Sequence, residues 1–491
     1  MASGSIEKPR SRSILRFAVT IFTMVPVLML VGSTFGPVAS ADASTYGIVG
    51  VNPGSNDPNL AGGAADGCFL GDSQATTPPE STGAGSYIPD MNAWQGKSSA
   101  VISCYYDTSS GLFTDQVPEI WNVFHAIPML NITDGYNPLL GNPGSETSYQ
   151  NLQAFGTALG QWITGTDNLG NAAPAGGRRI YLRLDWEANG DWYAYSPLWA
   201  ALPPGNCQQL ANNEVLFVDR WQQVYKAIMN AATAAAGRDL SNNVAWIYSV
   251  NAWPNGIPWG HLNNVPDLSG CTSPTQGTAT IYEPTSLLGI NGTQGVTTTG
   301  TVADPANVEA SIYPMTNYNG PDYNSSTQYA QWLGMDGYSQ CADNAPTSYT
   351  PSGVFANELN TLRGFSSLPM SVNEVGTTVQ GNNGGSCPSG TTAAQKGAWL
   401  SQYMSYAQSA GIKMSMPFNE DYGGEDYALF CEPQSENGYD NECMGDSTYS
   451  GTAEPTYNVY SEYPQALASS YFIGSDPSNP QVLTDAQFLG Q

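Results

Sequence analysis

Residues 179–193 read RIYLRLDWEANGDWY. The first part, Arg179–Glu187, is mostly apolar and aromatic as far as Leu184 and turns polar at Asp185 and Glu187. A strand of that make-up fits a parallel sheet covered by helices, with its polar C-terminal end open to a ligand. Seven other runs can be read as strands, and most show the same gradient. Three precede it: Tyr46–Val51 (YGIVGV), Ala100–Tyr106 (AVISCYY) and Ala126–Ile132 (AIPMLNI). Four follow: Val244–Asn251 (VAWIYSVN), Gln331–Tyr338 (QWLGMDGY), Pro369–Gly376 (PMSVNEVG) and Lys413–Glu420 (KMSMPFNE).

Helical periodicity fills the intervals. Ser148–Ile163 carries Tyr149, Leu152, Phe155, Leu159 and Trp162 on one face. Phe217–Ala236 places Phe217, Val218, Trp221, Val224, Tyr225, Ile228 and Met229 at helical spacing and stops at Gly237. Ala393–Ala410 repeats the pattern before Gly411, and Tyr460–Phe472 reads as a closing helix. Eight strand–helix units predict an α/β fold, a single (β/α)8 TIM barrel over residues 42–491. The segments 53–98, 255–325 and 420–455 are rich in Gly, Ser, Asn and Pro. Each follows a strand's C-terminal end, so they are expected as long irregular loops on that face, pinned by cysteines.

Residues 1–41 read as a leader. Lys8, Arg10, Arg12 and Arg16 precede an apolar run from Phe17 to Val31, and Ala39-Ser40-Ala41 suits signal peptidase. Secretion to the extracellular space, with no membrane association after cleavage, is the expectation. All eight cysteines lie beyond the leader, and an even count in an exported chain implies disulfides. If each bridge anchors its loop locally, the pairs are Cys68–Cys104, Cys207–Cys271, Cys341–Cys387 and Cys431–Cys443. No C-x-x-C spacing occurs, and only His125 and His261 offer imidazole, so no metal site and no cofactor are expected. A monomer is expected. Without the leader, 10 Lys and Arg face 40 Asp and Glu. Such a surface repels nucleic acid and acidic polysaccharides, and a neutral glycan suits it better.

Two carboxylates carry the chemistry. Glu187 ends the fourth strand beside Asn189 and Trp192, the amide and aromatic company that a sugar cleft needs. Burial there would raise its pKa and make it a proton donor. Glu374, in MSVNEVG, ends the seventh strand. Strand ends four and seven face each other across a barrel mouth, where two carboxyl groups about 5–5.5 Å apart support double displacement. Taken singly, Glu187 could instead pair with Arg183, and Glu374 could cap a loop.

The chain resembles barrel glycosidases with the acid/base on strand four and the nucleophile on strand seven. Among them it is similar to glycoside hydrolase family 26, best known for β-mannanases. RLDWEANGDWY resembles that family's R-x-x-H-E-x-N-G-x-W-[FY] segment. FVDRWQQVYKAIMNAATAAAGRDLSNNVAWIYSVN, YAQWLGMDGYS, MSVNEVG and MPFNEDYG follow in the family's order, and AIPMLNI fits its third strand. The resemblance implies Glu187 as acid/base and Glu374 as nucleophile. It implies Tyr338 bonded to the nucleophile, Asp336 close to the sugar, Trp192 stacked beside the scissile bond and Arg183 beneath the carboxylates. Asn189, Asn251 and Asn419 join the expected substrate-binding set. Trp186 stands where the family usually has His, which touches the mannan specificity more than the catalysis. The expected function is therefore retaining endo-hydrolysis of β-1,4-mannan, with β-glucan or xylan as alternative substrates. A non-catalytic glycan-binding barrel is the alternative of another class, and it has no need of paired carboxylates.

Overall fold

Eight parallel strands close on themselves in the computed structural model. They are β1 (Gly47–Val51), β2 (Val101–Asp107), β3 (Ile127–Thr133) and β4 (Ile180–Leu184), then β5 (Val244–Asn251), β6 (Trp332–Ser339), β7 (Met370–Thr377) and β8 (Met414–Pro417). Each pairs with its neighbours, and Ile48 and Val49 of β1 face Met414 and Ser415 of β8 to complete the ring. The fold is a (β/α)8 barrel. The structure describes residues 46–53, 87–108, 113, 116–133, 146–198, 206–252, 268, 270–284, 293–339, 350–378, 392–419, 421–422, 425–431, 444–451, 456–475 and 483–491. The leader expected in residues 1–41 lies outside them.

The outer helices form where the apolar periodicity places them. The helix Ala393–Ala410 ends at Gly411, whose left-handed φ of 70° closes it. The helix Glu146–Thr164 packs on Cys207–Ala236 through Gly156 and Gly160. A Cβ at either would collide with the carbonyl of Ile228 or Ala232, so the two backbones touch. Asn206 caps the long helix at its start, its side chain accepting from the Gln209 amide, and Gly237 ends it with a φ of 66°. That helix begins ten residues before the apolar stripe read in the sequence, because its first turns bury Leu210, Ala211 and Val215 against a hairpin.

The hairpin is the main departure from expectation. Thr275–Pro284 and Thr293–Val302 pair antiparallel along ten residues, within a segment read as irregular. Gly277 lies so close to the Ala211 carbonyl that a Cβ would not fit, and Thr298 donates to the buried Asp219 of the helix. A smaller antiparallel sheet, Phe430–Cys431, Thr456–Val459 and Ser447–Ser450, follows β8. The closing helix is shorter than expected, Glu462–Leu467, and the chain then adds Phe472–Ile473 beside β1.

Cys207 and Cys271 are joined, with Cα atoms 5.1 Å apart, which ties the start of the long helix to the base of the hairpin. Cys104 and Cys431 are each held in a disulfide as well. Cys68, Cys341, Cys387 and Cys443 lie outside the described residues, and so do the three pairings expected of them.

Candidate active site

The site is assembled at the C-terminal ends of the strands. β4 stops at Leu184, three residues short of the run read in the sequence. Asp185 and Glu187 take left-handed φ values of 47° and 56°, a conformation that costs a side-chain-bearing residue about 1–3 kcal/mol. Surrounding bonds hold it there. The Asp185 amide donates to Ile132 O, the Glu187 amide to Ser249 O, and the Gly190 amide to Glu187 O. Tyr195 donates its hydroxyl hydrogen to Trp186 O at 2.7 Å. The turn carries Glu187 over the barrel mouth instead of along the strand.

Glu374 reaches the same place by a different device. Against β6, Met335 faces Val372 but Asp336 faces Glu374; against β8, Ser415 faces Val372 but Pro417 faces Val375. Both neighbours therefore see one extra residue in β7. Such a bulge breaks the alternation of side chains and re-aims one of them. Asn373 points across the barrel to Ser249 Oγ at 3.2 Å, while the next residue, Glu374, still enters the site.

One oxygen from each of Glu187, Asp336 and Glu374 lies within 4.8 Å of the others. Glu374 accepts three hydrogen bonds. Tyr105 Oη (2.8 Å) and Arg183 Nη1 (2.8 Å) donate to Oε1, and Tyr338 Oη (2.6 Å) donates to Oε2. Arg183 is fully buried and also pairs with Asp336 and donates to Asn131 Oδ1 at 3.0 Å. Burial works against its charge, and Asp336 and Glu374 more than offset that, so its pKa is raised and it stays cationic. Three clustered carboxylates could suit a hard cation. Here the guanidinium already bridges two of them, so the residues present do not fit a metal ion.

Glu187 stands differently. Asn251 Nδ2 donates to its Oε1 at 2.6 Å and Trp192 Nε1 to its Oε2 at 2.9 Å, and among the described residues no cation pairs with it. Burial first, and then the charge of Glu374, push its carboxyl up to about 7. One carboxyl is thus ringed by donors and the other is poised to hold a proton.

Other residues singled out in the sequence fall around this pair. Trp186 is 7 % exposed and stands edge-on to Tyr105 (5.3 Å) and Tyr193 (5.5 Å), with Arg183 5.8 Å from its ring centre. Asn251 and Tyr338 touch the carboxylates directly. Asp336 is completely buried and paired with Arg183, with one carboxylate oxygen within 4.8 Å of one each from Glu187 and Glu374. Asn189 is also fully buried. It accepts from the Asn251 amide and donates to Asn251 O and Glu309, which fixes the end of β5. Asn419 clamps the chain after β8, accepting from the amides of Leu429 and Phe430 and donating to Phe430 O. That clamp sets Tyr427 against the Tyr338 ring at 5.0 Å.

Sequence reasoning missed Tyr105, Asn52 and Asn131. Tyr105 accepts from Asn52 Nδ2 at 2.9 Å while donating to Glu374, and Asn131 orients Arg183. Tyr105 and Asn131 lie near the ends of runs already recognised as strands, and Asn52 follows the first run directly; polar residues at such ends were the available signal.

Paired buried carboxylates across the mouth of a (β/α)8 barrel define the class of site. No protein-family model and no curated protein matches the chain. Solved structures do. A GH26 beta-mannanase from Bacteroides ovatus is 10% identical with a TM-score of 0.39, covering 79% of this chain and 84% of that one. The virulence factor SghA from Agrobacterium tumefaciens is 9% identical with a TM-score of 0.42, covering 87% and 97%. A GH128 (subgroup II) endo-beta-1,3-glucanase from Sorangium cellulosum is 13% identical with a TM-score of 0.34, covering 78% and 93%. Likeness this distant assigns neither substrate nor family.

Proposed function

We propose that the protein is a secreted retaining glycoside hydrolase that cuts within a neutral β-linked polysaccharide, β-1,4-mannan before β-glucan or xylan. The observation that carries this reading is the facing pair. One oxygen of Glu187 lies within 4.8 Å of one of Glu374, which favours the close spacing of a double displacement, about 5–5.5 Å, over the wider spacing of an inverting pair. The mannan preference and kinship with family 26 rest on the motif order quoted above.

Glu374 attacks the anomeric carbon as Glu187 gives its proton to the departing glycosidic oxygen, leaving a glycosyl ester on Glu374. Tyr105, Tyr338 and Arg183 aim the attacking oxygens. Esterification removes the Glu374 charge, one of the causes that raise the Glu187 pKa. Glu187 then becomes the stronger acid and, once ionised, takes a proton from the water that cleaves the ester. The same residue is acid in one half-reaction and base in the other.

Reducing-sugar release from mannan, β-glucan and xylan tests the proposal. Release from mannan above the others is expected. Binding without release from any polymer would instead support a glycan-binding barrel.

A further inference from the structure

The aromatic residue expected to meet the sugar, Trp192, has its single donor committed to Glu187 at 2.9 Å. Its neighbour Tyr193 is placed differently. Tyr193 Oη accepts from Trp186 Nε1 at 3.0 Å, and among the described residues its own hydroxyl hydrogen has no acceptor. The ring is flanked by three other aromatic rings. It stacks on Tyr195 at 5.0 Å and 16°, meets Trp186 edge-on at 5.5 Å and leans on Trp192 at 6.4 Å. Tyr195 in turn is tied to Trp186 O.

An indole can only donate, so it takes a lone pair of the phenol oxygen and turns the phenol hydrogen away from itself. Tyr193 is half-buried and lies in the electrostatic field of Glu187 and Glu374. Burial first, and those two carboxylates next, raise its pKa, so it remains a protonated donor. No hydrogen bond joins it to either carboxylate among the described residues, and the oxygens of both already receive other donors. A half-buried donor left over beside the reacting carboxyls calls for an acceptor that arrives with the ligand.

We infer that the Tyr193 hydroxyl donates a hydrogen bond to an oxygen of the bound glycan at the bond to be cut, and that Trp186 is the positioning residue that aims it. The inference rests on the glycanase reading and adds a substrate contact to it. It also gives Trp186 a task that needs its N–H and not merely its bulk.

The test compares parent, Tyr193→Phe, Trp186→Phe and the double variant, on whichever polymer of the panel the parent cuts. Phe at 193 keeps the ring stack and removes only the donor. Its kcat/KM should fall about five- to thirtyfold, the weight of one buried hydrogen bond to a ligand. The melting temperature and the alkaline limb of the pH profile should stay in place. Trp186→Phe should lose less, and the double variant no more than Tyr193→Phe alone, because the indole acts through the phenol. Parent-like kcat/KM in Tyr193→Phe overturns the contact and leaves the glycanase reading intact. A shifted alkaline limb overturns it too, because the phenol would then be serving Glu187. Losses that add in the double variant overturn the positioning role. A parent that releases sugar from no polymer removes the glycanase reading, and this inference with it.

Discussion

Replacing Trp192 with Phe keeps an aromatic ring over Gly190 and deletes the one donor that Trp192 gives to Glu187 Oε2. That bond favours the ionised carboxylate, so its loss must raise a pKa already pushed up to about 7 by burial and by Glu374. A hydrogen bond to a charged group contributes about 1.5–3 kcal/mol, and one pKa unit corresponds to about 1.4 kcal/mol. Trp192 is only half-buried, and water competes for the bond, so the lower end applies. An upward move of about one unit is expected. Glu187 must be protonated to act as the acid, so the alkaline limb of kcat/KM against pH reports this group. The profile of Trp192→Phe, followed from about pH 4 to about pH 9, should therefore extend further into alkali than that of the parent. A limb that stays put, or moves toward acid, would show that Glu187 is not the proton donor.

Glu374→Ala should fold normally and lose turnover by several orders of magnitude, with azide restoring part of it on an activated substrate as the inverted product; parent-like rates in a folded variant would remove Glu374 from the mechanism. Asp219 is buried, and burial first, then Asp322, raise its carboxyl from 3.8 to about 7. The folded state therefore holds a proton that the unfolded chain releases, and stability present below about pH 4 is lost as the pH rises through about 7, by on the order of 4 kcal/mol. Asp219→Asn, which imitates the protonated acid, should flatten that slope in denaturant titrations, and an unchanged slope refutes the assignment. A methyl group at Gly334 would collide with Asn373 Nδ2 and crowd Ile247, so Gly334→Ala should lower stability by about 1–3 kcal/mol and disturb Glu374 next in the chain. A parent-like melting temperature would show that the bulge has room to give.

The barrel was legible because burial on both faces leaves a plain mark on a parallel strand. VAWIYSVN and MSVNEVG read as apolar runs that turn polar, and both are strands where expected. The two catalytic candidates were legible for the same reason, as acids at strand ends. What escaped depends on three-dimensional register. Nothing in MSVNEVG marks the extra residue that lets Asn373 and Glu374 both enter the barrel. The left-handed turn at Asp185 and Glu187 is equally hidden, since Glu does not announce a positive φ and Asp, though enriched there, adopts it at only a small share of its positions. The hairpin was visible in principle, as alternating threonines in TQGTATIYEP and TQGVTTTGTV. Glycine- and proline-rich flanks, and the expectation of parallel strands alone, obscured it. Asn189 and Asn419 looked like sugar ligands because amides often are. In the structure their amides fix Asn251 and residues 429–430.

The central claim is double displacement by Glu374 and Glu187 on one glycosidic bond. Proton NMR of the newly formed reducing end, recorded during the first turnovers on a β-linked oligosaccharide, tests it most directly. The account predicts that the β-anomer appears first and then mutarotates, because two inversions restore the configuration. First appearance of the α-anomer would contradict it, since that outcome requires a single inversion by water.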